Sequence, residues 1–268
     1  MSLPPLQWLV LALVGFVAGG FGVVVGAGGG FIIAPLLLIL YHLSPPVAAG
    51  TSLTIVLLNT LSGSMAYARQ QWVNYRAGLM IALPAAPGAL AGAAAARFVS
   101  PTLFRTSFGV TLLVFAAYLL RRPEPTPQRS AAPAAAGDQG PTVPLAMDQA
   151  GRLDPGLLAL GVGLGFVSSF FGLGAGWLVV PLLVHVYRFP AHVAAATSIF
   201  ALAAYSSVGV IVYVSQGHVF WPAVVAAGLG VIVAAQVGAG LSTSLKGVTR
   251  LRLLALAMAA VGVALLIH

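Results

Sequence analysis

Residues 26–36 read Gly26-Ala27-Gly28-Gly29-Gly30-Phe31-Ile32-Ile33-Ala34-Pro35-Leu36, and 146 positions later the chain reads Gly172-Leu173-Gly174-Ala175-Gly176-Trp177-Leu178-Val179-Val180-Pro181-Leu182. Glycines at this density break a helix, and the short apolar run behind each set starts another. The two stretches belong to an internal repeat that runs from about residue 15 to residue 96 without a gap. Between 26 and 52, 12 of 27 positions are identical to their mates; farther on, Gly63, Tyr67, Gln70 and Gly92 fall on Gly209, Tyr213, Gln216 and Gly238. Each half is therefore one structural unit.

The halves occupy residues 1–120 and 155–268, with a segment 121–154 rich in Pro, Ala, Gly and Gln between them. All four acids of the chain, Glu124, Asp138, Asp148 and Asp154, fall in that segment, which reads as a flexible, solvent-exposed linker. The 268 residues are 60% apolar and 6% charged, with a mean hydropathy of +1.03. A soluble domain carries about 25% charged residues, so the composition specifies a polytopic membrane protein. The net charge of +8 comes from 12 Lys and Arg spread singly, with no basic stripe interleaved with aromatics, which argues for orientation in a bilayer and against nucleic acid. The absence of Cys excludes a disulfide framework, a thiol nucleophile and a thiolate metal site. The first apolar run, 6–25, lacks a basic start and a cleavage site and reads as a retained span.

Each half contains five apolar segments: 6–25, 30–41, 46–67, 77–96 and 101–120, then 155–171, 176–188, 192–214, 219–241 and 249–267. At 12 and 13 residues, the second and seventh reach only about 18 to 20 Å of a hydrocarbon core roughly 30 Å thick, and read as broken or half-length. Alternation of ten segments gathers Arg69, Arg76, Arg121, Arg122, Arg129, Arg152, Arg188, Lys246, Arg250 and Arg252 on one side, against Arg97 and Arg105 on the other. Merging the short segments into their neighbours divides the charges evenly and loses this bias. The positive-inside rule thus selects ten segments, both termini outside and the linker cytoplasmic. Because five is odd, the halves must be inverted. The expected fold is an all-α polytopic membrane protein of two inverted five-segment repeats, the arrangement of many secondary transporters.

In that arrangement the short segments start near the midplane from opposite directions. Their free N–H groups and positive dipole ends converge on one buried point and favour an anion. Gly28, Gly29, Gly30, Gly174 and Gly176 would let the backbone approach a ligand, the competing use of small residues being close helix packing. Thr51, Ser52, Thr197 and Ser198 open the third and eighth segments. Their hydroxyls either meet oxyanion oxygens or bond back to the carbonyl four residues earlier. Asn59 and Tyr205 follow two turns later, and Gln236 stands opposite Leu90 in the repeat, as a ligand contact or an interhelical bond. His185 is the ionisable side chain placed well inside a span, a candidate proton carrier; its mate is Ile39, which leaves a packing role equally open. Tyr67, Tyr213, Trp72 and Trp221 read as interfacial anchors. An enzyme is not expected: outside the linker there is no acid for a dyad, a triad or a carboxylate-bearing metal cluster. No cofactor and no metal is expected, and the missing carboxylates also argue against a cation pump.

The run Gly26 to Leu36, the segment Ala48-Ala49-Gly50-Thr51-Ser52 and their second copies, Gly172 to Pro181 and Ala194-Ala195-Ala196-Thr197-Ser198, closely resemble the sulfite exporter TauE/SafE family of transmembrane anion permeases. The resemblance covers both halves. Pro84 to Gly92 also looks like that family, whereas its second copy, Gly230 to Gly238, lacks both prolines. What the resemblance implies is a multi-pass permease of the bacterial inner membrane moving sulfite, organosulfonates, related sulfur-containing anions or small carbonyl compounds. The combined expectation is a secondary transporter that works by alternating access, one repeat rocking against the other. Thr51, Ser52, Thr197 and Ser198 would bond the substrate oxygens, the backbone around Gly28 to Gly30 and Gly174 to Gly176 would donate, and Asn59 and Gln236 would adjust selectivity. The partners are then a small anion and the lipid bilayer. An anion channel, a carrier of another small organic anion and a scaffold acting through residues 121–154 are the alternatives.

Overall fold

The computed structural model describes residues 4–121, 155–187, 189–242 and 247–267, and among these every regular element is helical. The expected linker lies outside the described residues from position 122 to 154. In chain order the helices are α1 (Pro5–Val25), α2 (Gly30–Ile39), α3 (Pro45–Arg69), α4 (Tyr75–Ala95, followed by a 3-10 turn, Ala96–Phe98) and α5 (Pro101–Arg121). After the linker come α6 (Pro155–Phe171), α7 (Gly176–Pro181, continued by a π-helical turn, Leu182–Val186), α8 (Ala191–Ser215), α9 (Trp221–Leu241) and α10 (Gly247–Ile267). Six of them, α1, α3, α4, α5, α8 and α9, have the length and hydropathy to cross a membrane.

Local chemistry sets the boundaries. Proline opens α1 and α3 at the first position, where its missing N–H costs nothing and its fixed φ suits a helix. Asn74 caps α4 by accepting a hydrogen bond from the Ala77 N–H at 3.0 Å. The glycine stretches end α1 and α6 and start α2 and α7, as their composition predicts. Gly28 and Gly174 sit at φ 77° and 65°, a left-handed conformation that glycine enters without steric cost. With 10 residues, α2 rises about 15 Å. The segment expected at 176–188 is not one regular helix: six α-helical residues end at Pro181, and the next five wind as a π turn. The wider register begins directly after Pro181.

In the packing, α3 and α8 lie at the centre. Gly50 of α3 approaches Tyr213 and the His218 carbonyl, and Gly63 approaches Ile199, so the two helices run antiparallel. Around them α1 packs on α9, α4 on α6 and α5 on α10. Each of these pairs joins one half of the chain to the other, so the halves interleave. The outward faces of α4 and α9 show Leu79, Leu83 and Leu90, and Val225, Leu229, Val233 and Val237, an apolar girdle suited to lipid. Tyr67 and Tyr213 correct the interfacial expectation. Both are fully buried, and their hydroxyls donate to the carbonyls of Val23 at 2.9 Å and Ser169 at 2.7 Å. A tyrosine surrounded by helices needs an internal acceptor, and the last turn of a broken helix supplies one. Trp72 is also drawn inward, against Tyr67 and His192, whereas Trp221 is exposed.

Candidate functional site

The two glycine breaks meet at the centre of the molecule. After α1, the N–H groups of Ala27 and Gly28 both donate to the Gly22 carbonyl, at 2.7 and 3.1 Å. After α6, Leu173 N–H donates to the Ser168 carbonyl at 3.0 Å and Ala175 N–H to Ser168 Oγ at 3.0 Å. A Cβ at Gly30 would run into the carbonyls of Leu173 and Gly172, and one at Gly176 into the Gly26 carbonyl. The backbones therefore cross at a separation that only glycine permits. The first N–H groups of α2 and α7, those of Gly30 and Phe31 and of Gly176 and Trp177, have no intrahelical acceptor and are buried at this crossing.

Two serines hold the crossing reciprocally. Ser52 Oγ lies 2.7 Å from the Gly172 carbonyl and 3.3 Å from that of Gly30, and Ser198 Oγ lies 2.9 Å from the Gly26 carbonyl and 3.0 Å from that of Gly176. Each serine thus bridges the break of its own half to that of the other. Both hydroxyls face carbonyls only, so their protons are committed to the backbone.

The threonines beside them face elsewhere. Thr51 Oγ1 accepts from the Phe220 N–H at 2.8 Å and Thr197 Oγ1 from the Asn74 N–H at 3.1 Å. Successive residues on a helix point about 100° apart, so when Ser52 and Ser198 meet the breaks, their neighbours meet the turns that start α9 and α4. Neither threonine makes the i−4 bond that is the alternative to a substrate contact; Thr54 and Thr60 do, to Gly50 and Val56.

Asn59 is fully buried at the first break. Its Nδ2 donates to the carbonyls of Gly28 at 3.0 Å and Gly19 at 3.2 Å, while its Oδ1 has no partner. Tyr205, its repeat mate, is also fully buried, and its hydroxyl stands beside Ser168 and the Ala175 backbone without completing a hydrogen bond to either. Ser169 Oγ and Trp177 Nε1 are likewise buried and unpartnered. An orphaned polar atom costs about 1 to 3 kcal/mol, and four of them flank the breaks. Tyr205 had a signal in the sequence, its place opposite Asn59 in the repeat. Trp177 had none, because its mate Phe31 is apolar.

Gln236 lies apart from the breaks. Its Nε2 donates to the carbonyl and Oγ of Ser62, both at 2.8 Å, which ties α9 to α3 and realises the interhelical alternative. His185 falls in the π turn, and its side chain lies outside the described residues.

A family model described as the sulfite exporter TauE/SafE matches residues 11–265 of the chain. The probable membrane transporter protein YunE of Bacillus subtilis is 27% identical over 270 residues, covering 96% of each chain. A probable membrane transporter protein of Methanocaldococcus jannaschii is 26% identical over 79% of this chain and 75% of its own. One from Sinorhizobium is 30% identical over 85% and 80%. No solved structure matches the chain.

Proposed function

The chain belongs to the sulfite exporter TauE/SafE family, and from that premise we propose that it is a secondary transporter of sulfite, an organosulfonate or a related small sulfur-containing anion across the bacterial inner membrane. The observation that carries this reading is the reciprocal crossing of two glycine breaks, with the opening N–H groups of α2 and α7 buried where they meet. Those donors and the positive ends of two short helices favour an oxyanion. None of the apolar segments contains a carboxylate to compete with it.

In this mechanism the opening N–H groups of the two short helices, at Gly30 and Gly176, donate to the anion; those of Gly28 and Ala175 are already bonded to the Gly22 carbonyl and Ser168 Oγ, and Ser52 and Ser198 hold the two breaks in register. Asn59 contributes selectivity. Its free Oδ1 accepts from an O–H or N–H carried by the substrate, such as the proton of hydrogensulfite. The halves act as inverted repeats of five segments, with both termini outside and the linker in the cytoplasm. The matched pairs Ser52 with Ser198 and Tyr67 with Tyr213 support that symmetry. Rocking of one repeat as a block is disfavoured, because it would separate α1 from α9 and α4 from α6. Access alternates instead by rearrangement at the breaks.

The test is flux of sulfite and of small sulfonates into liposomes containing the purified protein. The wild type should show saturable flux that an imposed gradient can drive uphill, which separates a carrier from a channel. Gly30→Leu and Gly176→Leu, inserted to normal levels, should abolish it. Unaltered flux in either variant would sink the midplane site.

A further inference from the structure

We propose that Val56 and Leu202 form an apolar gate at the crossing of the two breaks, and that their combined size limits which anions pass. The proposal rests on the transporter reading above and assigns the barrier within that same site.

Val56 lies one helical turn beyond Ser52 on α3, and Leu202 one turn beyond Ser198 on α8, on the faces that the serines turn to the breaks. Both side chains are fully buried. A Cβ built on Gly28 would stand 2.6 Å from Leu202 Cδ2 and 3.2 Å from Val56 Cγ1; one built on Gly174 would stand 2.8 Å from Val56 Cγ1 and 3.1 Å from Leu202 Cδ2. Each side chain therefore touches both breaks, although each comes from a different half. The missing Cβ atoms of Gly28 and Gly174 are the room that the two branched side chains occupy.

The pair stands where a buried apolar cluster, with Ala175, Val179, Leu183 and Ala201, meets the polar groups of the breaks: N–H groups without an intrahelical acceptor at two helix starts, four carbonyls held by the serines, and the unpartnered oxygens of Asn59 and Tyr205. The polar groups of the breaks alone would hold water, yet between them the two hydrocarbon side chains take the space. An apolar constriction in a polar path excludes water and ions until its side chains withdraw. The pair is unequal, Val from the first half and Leu from the second, and because a buried cysteine behaves as a small hydrophobe, a thiol at position 202 leaves Val56 to close the gate.

The chain has no cysteine, so Leu202→Cys introduces its only thiol. Full-length protein in sealed vesicles is treated from either side with 2-sulfonatoethyl methanethiosulfonate, a small impermeant reagent that itself carries a sulfonate. Ser215→Cys, at the exposed end of α8, gives the rate for an open site. With Val56 intact, Leu202→Cys should react far more slowly than that control from both sides. Adding Val56→Ala should raise the rate about tenfold by increasing the population of the open gate. Val56→Thr keeps the volume but wets the surface, and should raise the rate as well, which covers the case that the alanine variant folds poorly. A Leu202→Cys thiol that reacts as fast as the control, or a rate that neither Val56 substitution moves, overturns the gate. If the wild type moves neither sulfite nor any sulfonate while the labelling pattern holds, the transport reading falls and the barrier stands.

Discussion

At the scale of single residues, Thr51-Ser52 and Thr197-Ser198 show how adjacent hydroxyls take unlike roles. The serines bridge two breaks through four carbonyls, and the threonines anchor the turns before α9 and α4. Interhelical hydrogen bonds in membranes are worth about 0.6 to 2 kcal/mol. Ser52→Ala and Ser198→Ala should each lower the unfolding free energy in detergent by about 1 kcal/mol. Because both hold the same crossing, the double variant should cost less than the sum; strict additivity in thermal unfolding would show that the two bridges are independent. Thr197→Val should cost about 1 to 3 kcal/mol, since it removes the side-chain acceptor that the buried Asn74 N–H uses. The sequence marked these four hydroxyls as worth attention by their recurrence. It did not reveal which of each pair faces a break, because that depends on the rotation of α3 and α8 about their axes, which packing against α1, α6 and the breaks decides. Tyr67 and Tyr213 misled for the same reason: a tyrosine near a helix end is interfacial only if no neighbouring helix covers it.

At the scale of elements, the glycine stretches and the brevity of α2 and α7 were legible, because glycine density and a run of about a dozen apolar residues are both local signals. The π turn after Pro181 was not. Pro35 occupies the matching position, yet α2 continues through it to Ile39, so proline alone does not decide the outcome. The two short helices are thus unequal in a repeat whose serine and tyrosine bonds are matched. A similar inequality separates α4 and α9: Asn74 caps α4 with its side chain, and its mate Phe220 has none to offer. Asn74→Ala should therefore destabilise the protein by about 1 kcal/mol through the lost cap. Asn74→Ser or Asn74→Asp should restore most of it, and failure of both to do so in a thermal melt would assign the loss to other contacts of Asn74.

At the scale of the whole molecule, the repeat itself could be read by sliding the sequence along itself, but not the fact that α1 leans on α9 and α4 on α6. Periodicity records that two segments are alike and carries no information on which neighbours they choose. The interleaving has consequences for assembly and for motion. Residues 1–121 or 155–268 expressed alone would leave the inner faces of α1, α4, α6 and α9 without partners, so each half should be degraded, whereas co-expression should recover the complex in a detergent extract. For motion, the geometry supplies a direct test at Gly20 and Ala234, where a Cβ on Gly20 would lie 3.5 Å from that of Ala234, within the span of a disulfide. In a chain without cysteine, Gly20→Cys with Ala234→Cys would fasten α1 to α9 and so one half to the other. If the halves rocked as blocks, oxidation would stop transport and reduction would restore it. If α1 and α9 travel together while the breaks rearrange, the oxidised double variant should keep sulfite flux within about twofold of the reduced form, a difference of less than 0.5 kcal/mol in the barrier.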